Sequence, residues 1–247
     1  MLNQDEKLRY SRQIQLDELK IDGQQKLKDA KVLVIGAGGL GCPALQYLTA
    51  AGIGTIGIVD FDVIEESNLP RQVLYSTADI GQFKVNITAQ KLAQLNPFVN
   101  IDIYTIRLSK HNASELISPY QIVVDCSDNP ETRYAINDAC VLLGKPFVYA
   151  GIHKFEGQLS VFNLSNESPT YRSVFPEKKE EEIIINCSIT GVIGTLPGIM
   201  GTMQANEVIK IITGIGKVCT DKMLLYNGLN NSIIEIKLSV PKASNFK

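Results

Sequence analysis

Residues 31–62, KVLVIGAGGLGCPALQYLTAAGIGTIGIVDFD, decide the fold. Lys31–Ile35 carries an unbroken, β-branched apolar run, the pattern of a strand buried on both faces. Gly36, Gly38 and Gly41 then spell G-x-G-x-x-G and lead into an Ala/Leu-rich helix that ends near Gly52. Pro43 suits the first turn of that helix, where a missing N–H costs little. A second strand, Thr55–Val59, delivers Asp60 nineteen residues past Gly41. Glycines let a backbone approach phosphate, a helix start offers free N–H groups, and the acid can hold ribose hydroxyls. The unit is a nucleotide site. NAD or FAD is the commonest ligand of this fingerprint, no Walker A sequence occurs, and the motif alone leaves the nucleotide open.

Working outward, 247 residues fit one large α/β domain, or one with a small appendage. With 45% hydrophobic and 20% charged residues a sizeable core is available. A net charge of −2 offers no electrostatic case for nucleic acid or an anionic membrane surface. No apolar run approaches a membrane span, and the charged start MLNQDEKLRYSRQ lacks a signal-peptide core, so cytoplasmic residence is expected. Five cysteines at wide spacing, without C-x-x-C, argue against a disulfide framework or zinc knuckle. Cys42, Cys126 and Cys140 fall in or beside buried elements and read as packing residues; Cys219 falls in a polar loop with no assignable role. His111 and His153 have no ligand-spaced partners.

Residues 4–28 read as two short helices separated near Leu16–Leu19, with Arg9 and Arg12 on what composition favours as a solvated arm. After the first β-α-β unit, FDVIEESNLPRQ lies at the carboxyl edge of the second strand, where open α/β sheets bind ligands. Ser67, Asn68, Arg71 and Gln72 therefore sit within reach of a nucleotide's phosphates. Gly81–Asn96 reads as a helix with Lys84 in its first turn. A lysine there opposes the helix dipole, which suggests a reason beyond helix stability. A strand at Asn100–Ile106, a helix around Ala113–Ile117 and a third buried strand, Gln121–Asp125, follow. That strand ends in the acid turn DCSDN, with Asp125 and Asp128 at its carboxyl end. Helix 130–143 carries Arg133 and Asn137, and Pro146–Ala150 is a fourth parallel strand. Beyond Gly151 the pattern turns antiparallel: an alternating strand at Glu156–Asn163, a charge run PEKKEEE (176–182), a helix at Gly191–Gly214 bent at Pro197, and strands Met223–Tyr226 and Ser232–Leu238. The residues 241–247, PKASNFK, read as a frayed tail. The fold class is α/β: a Rossmann-like, mostly parallel sheet with helices on both faces, extended by antiparallel strands in the C-terminal part.

RYSRQI (9–14), DGQQKL, GAGGLG (36–41), DFD (60–62), SNLPRQ (67–72), GQFKV (81–85), DCSDN (125–129) and GTMQANEVIK (201–210) stand together over nearly the whole chain. In this order and spacing they resemble the ThiF/MoeB proteins, bacterial relatives of the ubiquitin-activating enzymes. The resemblance implies one adenylating unit: an N-terminal arm (1–28), a nucleotide-binding half (29–151) and a carrier-binding and dimerisation half (152–247). It also implies adenylation by Mg-ATP of the C-terminal glycine of a ubiquitin-like sulfur carrier ending in Gly-Gly, with release of pyrophosphate and preparation of a thiocarboxylate. Under it, Gly36, Gly38, Gly39 and Gly41 approach the nucleotide, Asp60, with Asp62 beside it, holds the ribose, and Ser67, Asn68 and Gln72 line the phosphates. Arg71 and Lys84 neutralise phosphate oxygens, Asp128 holds Mg²⁺, Asn129 completes that turn, and Arg12 reaches in as an arginine finger from the second subunit of a homodimer. The chemistry agrees independently: as a carboxylate displaces pyrophosphate, growing negative charge calls for positioned cations. An NAD-dependent redox enzyme needs no such set, and no acid/base pair for a nicotinamide is visible.

The sequence departs from the family where many members bind structural zinc through C-x-x-C pairs. Thr170 and Ser173 stand at the first pair, so no zinc site is expected. Pro70 replaces the usual glutamine of SNLQRQ, removing an amide side chain and a backbone donor. Cys187 aligns with the cysteine that handles sulfur in some ThiF-like members; an incidental loop cysteine is the competing reading. No rhodanese-like extension is present, so the sulfur donor is expected to be a separate protein. RYSRQI with DGQQKL leans toward the thiamine branch, with the molybdopterin branch as the alternative within the family. An NAD-binding redox protein or a silent binding module is the alternative outside it.

Overall fold

The computed structural model describes residues 1–177 and 191–239. The Asn186-Cys187-Ser188 segment, most of the 176–182 charge run and the 241–247 tail lie outside the described residues. β1 (Lys31–Ile35), α4 (Gly41–Ala51) and β2 (Thr55–Val59) form the anticipated unit, with β1 and β2 paired in parallel. The helix stops at Gly52, whose left-handed φ of 86° closes the last turn. To these are added β3 (Asn100–Tyr104), β4 (Ile122–Asp125), β5 (Phe147–His153), β6 (Glu156–Phe162), β7 (Lys222–Asn227) and β8 (Ser232–Lys237). Together they build one eight-stranded sheet in the order β3-β2-β1-β4-β5-β6-β7-β8.

β1 to β5 are mutually parallel and β6 to β8 antiparallel. Five strands are thus parallel, one more than the pattern suggested. β3 is the edge strand, and its half-exposed side chains mask it as a member of the buried set. β5 runs three residues past Ala150 because Gly151, Ile152 and His153 pair with β6 in a hairpin.

Side-chain alternation divides the core. Val32, Val34, Ile56, Ile58, Val124 and Val148 face α3 (Lys20–Asp29), α4, α5 (Lys84–Leu95) and α9 (Thr195–Thr213). Leu33, Ile35, Val123, Phe147 and Tyr149 face α6 (Ala113–Ile117), α7 (Pro130–Leu143) and α8 (Tyr171–Val174). Pro197 is the third residue of α9, so it starts the helix rather than bending it; the expected bend at a proline interior to a longer helix falls away. Gly201 lets α9 lie against the start of α4, since a Cβ there would come within 2.2 Å of the Leu40 carbonyl.

The N-terminal arm is three helical pieces, not two: α1 (Gln4–Arg9), α2 (Ser11–Ile14) and α3. The added break falls at Tyr10, a buried side chain whose hydroxyl accepts from Asn96 Nδ2 at 2.8 Å. Gln24 and Gln13 donate to the Ala51 carbonyl at 2.9 and 3.4 Å, and Arg9 to the Leu95 carbonyl at 3.0 Å. These bonds satisfy carbonyls at the C-terminal ends of α4 and α5. The arm is docked, whereas its composition suggested a solvated surface.

Candidate functional site

The carboxyl ends of β1, β2 and β4 bring together three stretches that lie far apart in sequence. The glycine loop leaves β1, and the backbone of Ala37 is its anchor. Its N–H donates to Asp60 Oδ2 at 2.7 Å and its carbonyl accepts from the Tyr75 hydroxyl at 2.7 Å. Asp60 Oδ1 also accepts from the Asp62 N–H at 2.9 Å. Burial raises the Asp60 carboxyl above its usual range, while Lys84 and the two amides pull it back. Gly36, at φ 98°, faces the next strand end so closely that a Cβ would sit 2.6 Å from the Cys126 carbonyl.

The second stretch, residues 64–75, lies over this loop. A Cβ on Gly39 would meet the Arg71 carbonyl at 3.5 Å, and one on Gly38 would meet Gln72 Nε2 at 3.6 Å. Asn68 Oδ1 accepts from the Glu65 N–H at 3.3 Å and closes the turn that carries Ser67. Arg71 donates Nη1 to the Ser67 carbonyl at 2.8 Å, leaving the rest of its guanidinium fork available. Gln72 is 4% exposed, and its Oε1 has no hydrogen-bond partner among the described residues. A buried acceptor left unpaired beside a glycine loop is the kind of group a ligand donor satisfies. Pro70 is exposed in the turn between Asn68 and Arg71, where its missing N–H leaves no bond broken; the turn is closed by Arg71 N donating to the Asn68 carbonyl at 3.1 Å.

Lys84 opens α5 and is only 5% exposed. Its ammonium lies 2.9 Å from Asp62 Oδ2, and its backbone N–H donates to the Asp62 carbonyl at 3.0 Å. This accounts for a cation against the helix dipole: Asp62 holds it there, with half of its own side chain in solvent.

The third stretch follows β4. Asp125 is fully buried, and its Oδ1 accepts from the Ser127 N–H (3.0 Å) and hydroxyl (2.6 Å). Its Oδ2 faces Arg133 Nε at 3.7 Å, while Arg133 Nη2 donates to the Ser127 carbonyl at 3.0 Å and the guanidinium lies over the Tyr149 ring. Burial pushes the Asp125 carboxyl up, opposed chiefly by Arg133. Asn129 caps α7 by accepting from the Thr132 N–H at 2.9 Å, and its amide donates to Asp128 Oδ1 at 3.3 Å. From α9, the buried Gln204 donates to the carbonyls of Asp125 (2.7 Å) and Val148 (3.1 Å). Asp128 is thereby presented to solvent on a turn held from both sides.

Of the residues singled out from sequence, Gly36, Gly38, Gly39, Asp60, Asp62, Arg71, Gln72 and Lys84 gather by pairwise contacts at the carboxyl ends of the strands, the edge where an open α/β sheet leaves its ligand crevice. Ser67 and Asn68 stand in its adjoining turn, Gly41 begins α4, and Asp128 and Asn129 lie on the strand end that abuts Gly36. Arg12 is not brought there by its own chain. Its neighbour Gln13 contacts Ala51 at the far end of α4, a helix length of about 16 Å from the glycine loop. Cys187 lies outside the described residues. Cys219, read as a polar-loop residue, is 2% exposed; its N–H donates to Glu207 Oε2 at 3.0 Å, and burial lifts its thiol to about 11. Burial likewise raises Cys42 (to about 12), Cys126 and Cys140. Tyr75 and Thr88 escaped the sequence reading, since each is a polar residue on an otherwise apolar face with no motif to mark it; Gln204 stood within GTMQANEVIK but was given no role.

Among the described residues no cluster of three or more His, Cys, Asp or Glu is placed to hold a metal. Thr170 and Ser173 spend their hydroxyls on one another's backbone N–H groups, capping α8. A lone exposed carboxylate such as Asp128 instead suits a magnesium ion that arrives with phosphate oxygens. Chemically, this edge gathers two cations, Arg71 and Lys84, and the Asp60 carboxylate around a glycine loop that leads into a helix start. No described helix is long and apolar enough to cross a membrane.

A family model described as "ThiF family" matches residues 10–245. The sulfur carrier protein adenylyltransferase of Thermus thermophilus is 47% identical over 91% of this chain and 84% of its own length. The adenylyltransferase and sulfurtransferase MOCS3 of Sus scrofa is 47% identical over 96% of this chain, which spans only 52% of that relative. Among solved structures, E. coli MccB crystallised with ATP superposes with a TM-score of 0.82, covering 96% of this chain and 73% of MccB at 23% identity. At that identity the likeness is one of fold.

Proposed function

The chain belongs to the ThiF family, and from that premise we propose that it adenylates the C-terminal carboxylate of a small sulfur-carrier protein with ATP. The observation that carries this reading is the chain of contacts that ties the glycine loop to Asp60, Asp60 through Asp62 to Lys84, and lays the Arg71 segment over Gly38 and Gly39. Such a cradle suits a triphosphate better than a dinucleotide, whose hydride chemistry needs no paired cations.

Asp60 would accept from the ribose hydroxyls through the lone pairs its two amide contacts leave over, and Gln72 Oε1 would accept from the same ligand. The glycine-loop amides would meet phosphate oxygens at the start of α4. As the carrier carboxylate attacks the α-phosphorus, charge accumulates on the non-bridging oxygens and on the departing pyrophosphate. Arg71 and Lys84 would neutralise it, Lys84 being held ready by Asp62. Asp128 would hold the Mg²⁺ that accompanies ATP, a hard cation bound through one carboxylate and the phosphates. Arg12, remote from its own crevice, would complete the site of a second subunit in a homodimer. The 152–247 half would bind the carrier and dimerise.

Every described cysteine is buried with its thiol raised, so none is placed to act as a sulfur nucleophile. Any sulfur step on this chain would fall to Cys187, with the sulfur supplied by a separate donor. RYSRQI and DGQQKL favour a ThiS-like carrier over a MoaD-like one. Pyrophosphate exchange with ATP, run against both carriers, tests the reading: exchange should appear only when a Gly-Gly-tailed carrier is added. Exchange with neither carrier, or tight binding of NAD in place of ATP, would reject it.

A further inference from the structure

Tyr75 belongs to none of the motifs that marked the site, yet its hydroxyl touches two of the three elements facing the nucleotide and stands on the third. It is 6% exposed, and its OH lies 2.7 Å from the Ala37 carbonyl and 2.8 Å from Thr88 Oγ1. A carbonyl can only accept, so the tyrosine proton goes to Ala37, and the Thr88 hydroxyl must donate its own proton to Tyr75. Ala37 is in the glycine loop. Thr88 is fully buried on α5, one turn beyond Lys84. Tyr75 itself follows Arg71 and Gln72, with its N–H on the Gln72 carbonyl at 3.0 Å.

Ala37 is consequently gripped on both sides of its Cα: Asp60 takes its N–H and so holds the Gly36–Ala37 peptide, Tyr75 takes its carbonyl and so holds the Ala37–Gly38 peptide, and the Cys42 thiol approaches that carbonyl at 3.5 Å. Because a peptide is planar, the bond on the Ala37 carbonyl resists rotation of the Ala37–Gly38 unit and so orients the Gly38 N–H that it carries. The ring packs with Cys42, Ile64, Leu74 and Ile87 in a small cluster of its own. Packing needs only the ring; the hydroxyl does something more.

We propose that the Tyr75 hydroxyl is a positioning group that couples the glycine loop, the Arg71 segment and the Lys84 helix, so that ATP meets all three as one preformed surface. This rests on the ATP reading above. The same donors, left free to move independently, would have to be ordered at the moment of binding, at a cost in affinity.

Tyr75→Phe and Thr88→Val test it, since each removes one hydroxyl and keeps the shape. ATP binding by calorimetry, KM for ATP and for carrier in pyrophosphate exchange, and thermal unfolding are measured for both variants and the parent. Loss of one net hydrogen bond predicts an ATP Kd weakened about three- to tenfold in each variant. KM for the carrier should stay at the parent value. A parent that binds ATP alongside a folded variant that binds it equally well would overturn the coupling and leave the function standing; parallel losses in both KM values would reduce Tyr75 to a structural role. A parent that neither binds ATP nor exchanges would overturn the functional reading itself. Should Tyr75→Phe fail to fold, Thr88→Val decides by the same criteria.

Discussion

Arg71 and Lys84 are the two cations proposed to neutralise phosphate, and they are held differently. Arg71 is tied by a single hydrogen bond to its own turn, while Lys84 is buried against a half-exposed Asp62. Removing either should cost about 10²–10³ in pyrophosphate exchange, the usual loss for one preorganised charge-stabilising group. A near-parental rate for Arg71→Ala or Lys84→Met would reject the assigned role. The folded state should tolerate Lys84→Met, because Asp62 has water to turn to, and its urea midpoint should stay close to the parent's. Both residues were legible in sequence, and for different reasons. Arg71 stood in a turn-rich segment after a strand, and Lys84 stood where a helix start should have repelled it. Arg133 and Asp125 were visible as residue types only. Their burial as a pair beneath the Asp128 turn depends on Tyr149, contributed by β5 from another part of the chain.

At the level of elements, the segment from Ile64 to Phe83 must be held down, since it carries Arg71 and forms little regular structure. Near its ends the Ile64 N–H donates to the Gln82 carbonyl and the Gly81 N–H to the Ile64 carbonyl, each at 2.9 Å, and Lys91 on α5 pairs with Asp79 while donating to the Leu74 carbonyl at 2.7 Å. The Lys91 contact is the main reason the Asp79 carboxyl lies below its ordinary value of 3.8. A depressed carboxyl adds stability above its unfolded pKa and loses it as pH falls through the lower folded one. The melting-temperature gap between the parent and Asp79→Asn should therefore be full at neutral pH and close as the pH drops below 3.8. A gap that widens in acid would contradict the pair. Gln204 does comparable work for the other rim. Gln204→Leu would strip the Asp125 and Val148 carbonyls of their donor, and should destabilise the chain by ~1–3 kcal/mol in urea unfolding.

For the whole molecule, the position of Arg12 bears on the proposed assembly of the site. The arm that bears it is docked at the ends of α4 and α5 opposite the glycine loop, so the proposed role of the residue requires the crevice of a second subunit. Mixing Arg12→Ala and Arg71→Ala subunits under exchange conditions tests this. In a two-fold dimer, half of the molecules become mixed and one of their two sites is intact, which should restore roughly a quarter of parental activity. No recovery on confirmed subunit mixing would place Arg12 outside the mechanism.

The sequence by itself determined the local events: a buried strand, a glycine turn and a helix start that makes anion-binding geometry, and two more strand ends carrying acids. These follow from short-range sterics and from a periodicity of two or 3.6 residues, which neighbouring residues alone can express. Only the tertiary structure decided that α9 delivers Gln204 to the β4 and β5 ends, that Tyr75 bridges the Ala37 peptide to Thr88, and that the arm packs rather than floats. Those contacts join residues 13 to 86 positions apart, through polar groups that must be paired once buried. Nothing in a local pattern says which partner a buried polar group will find.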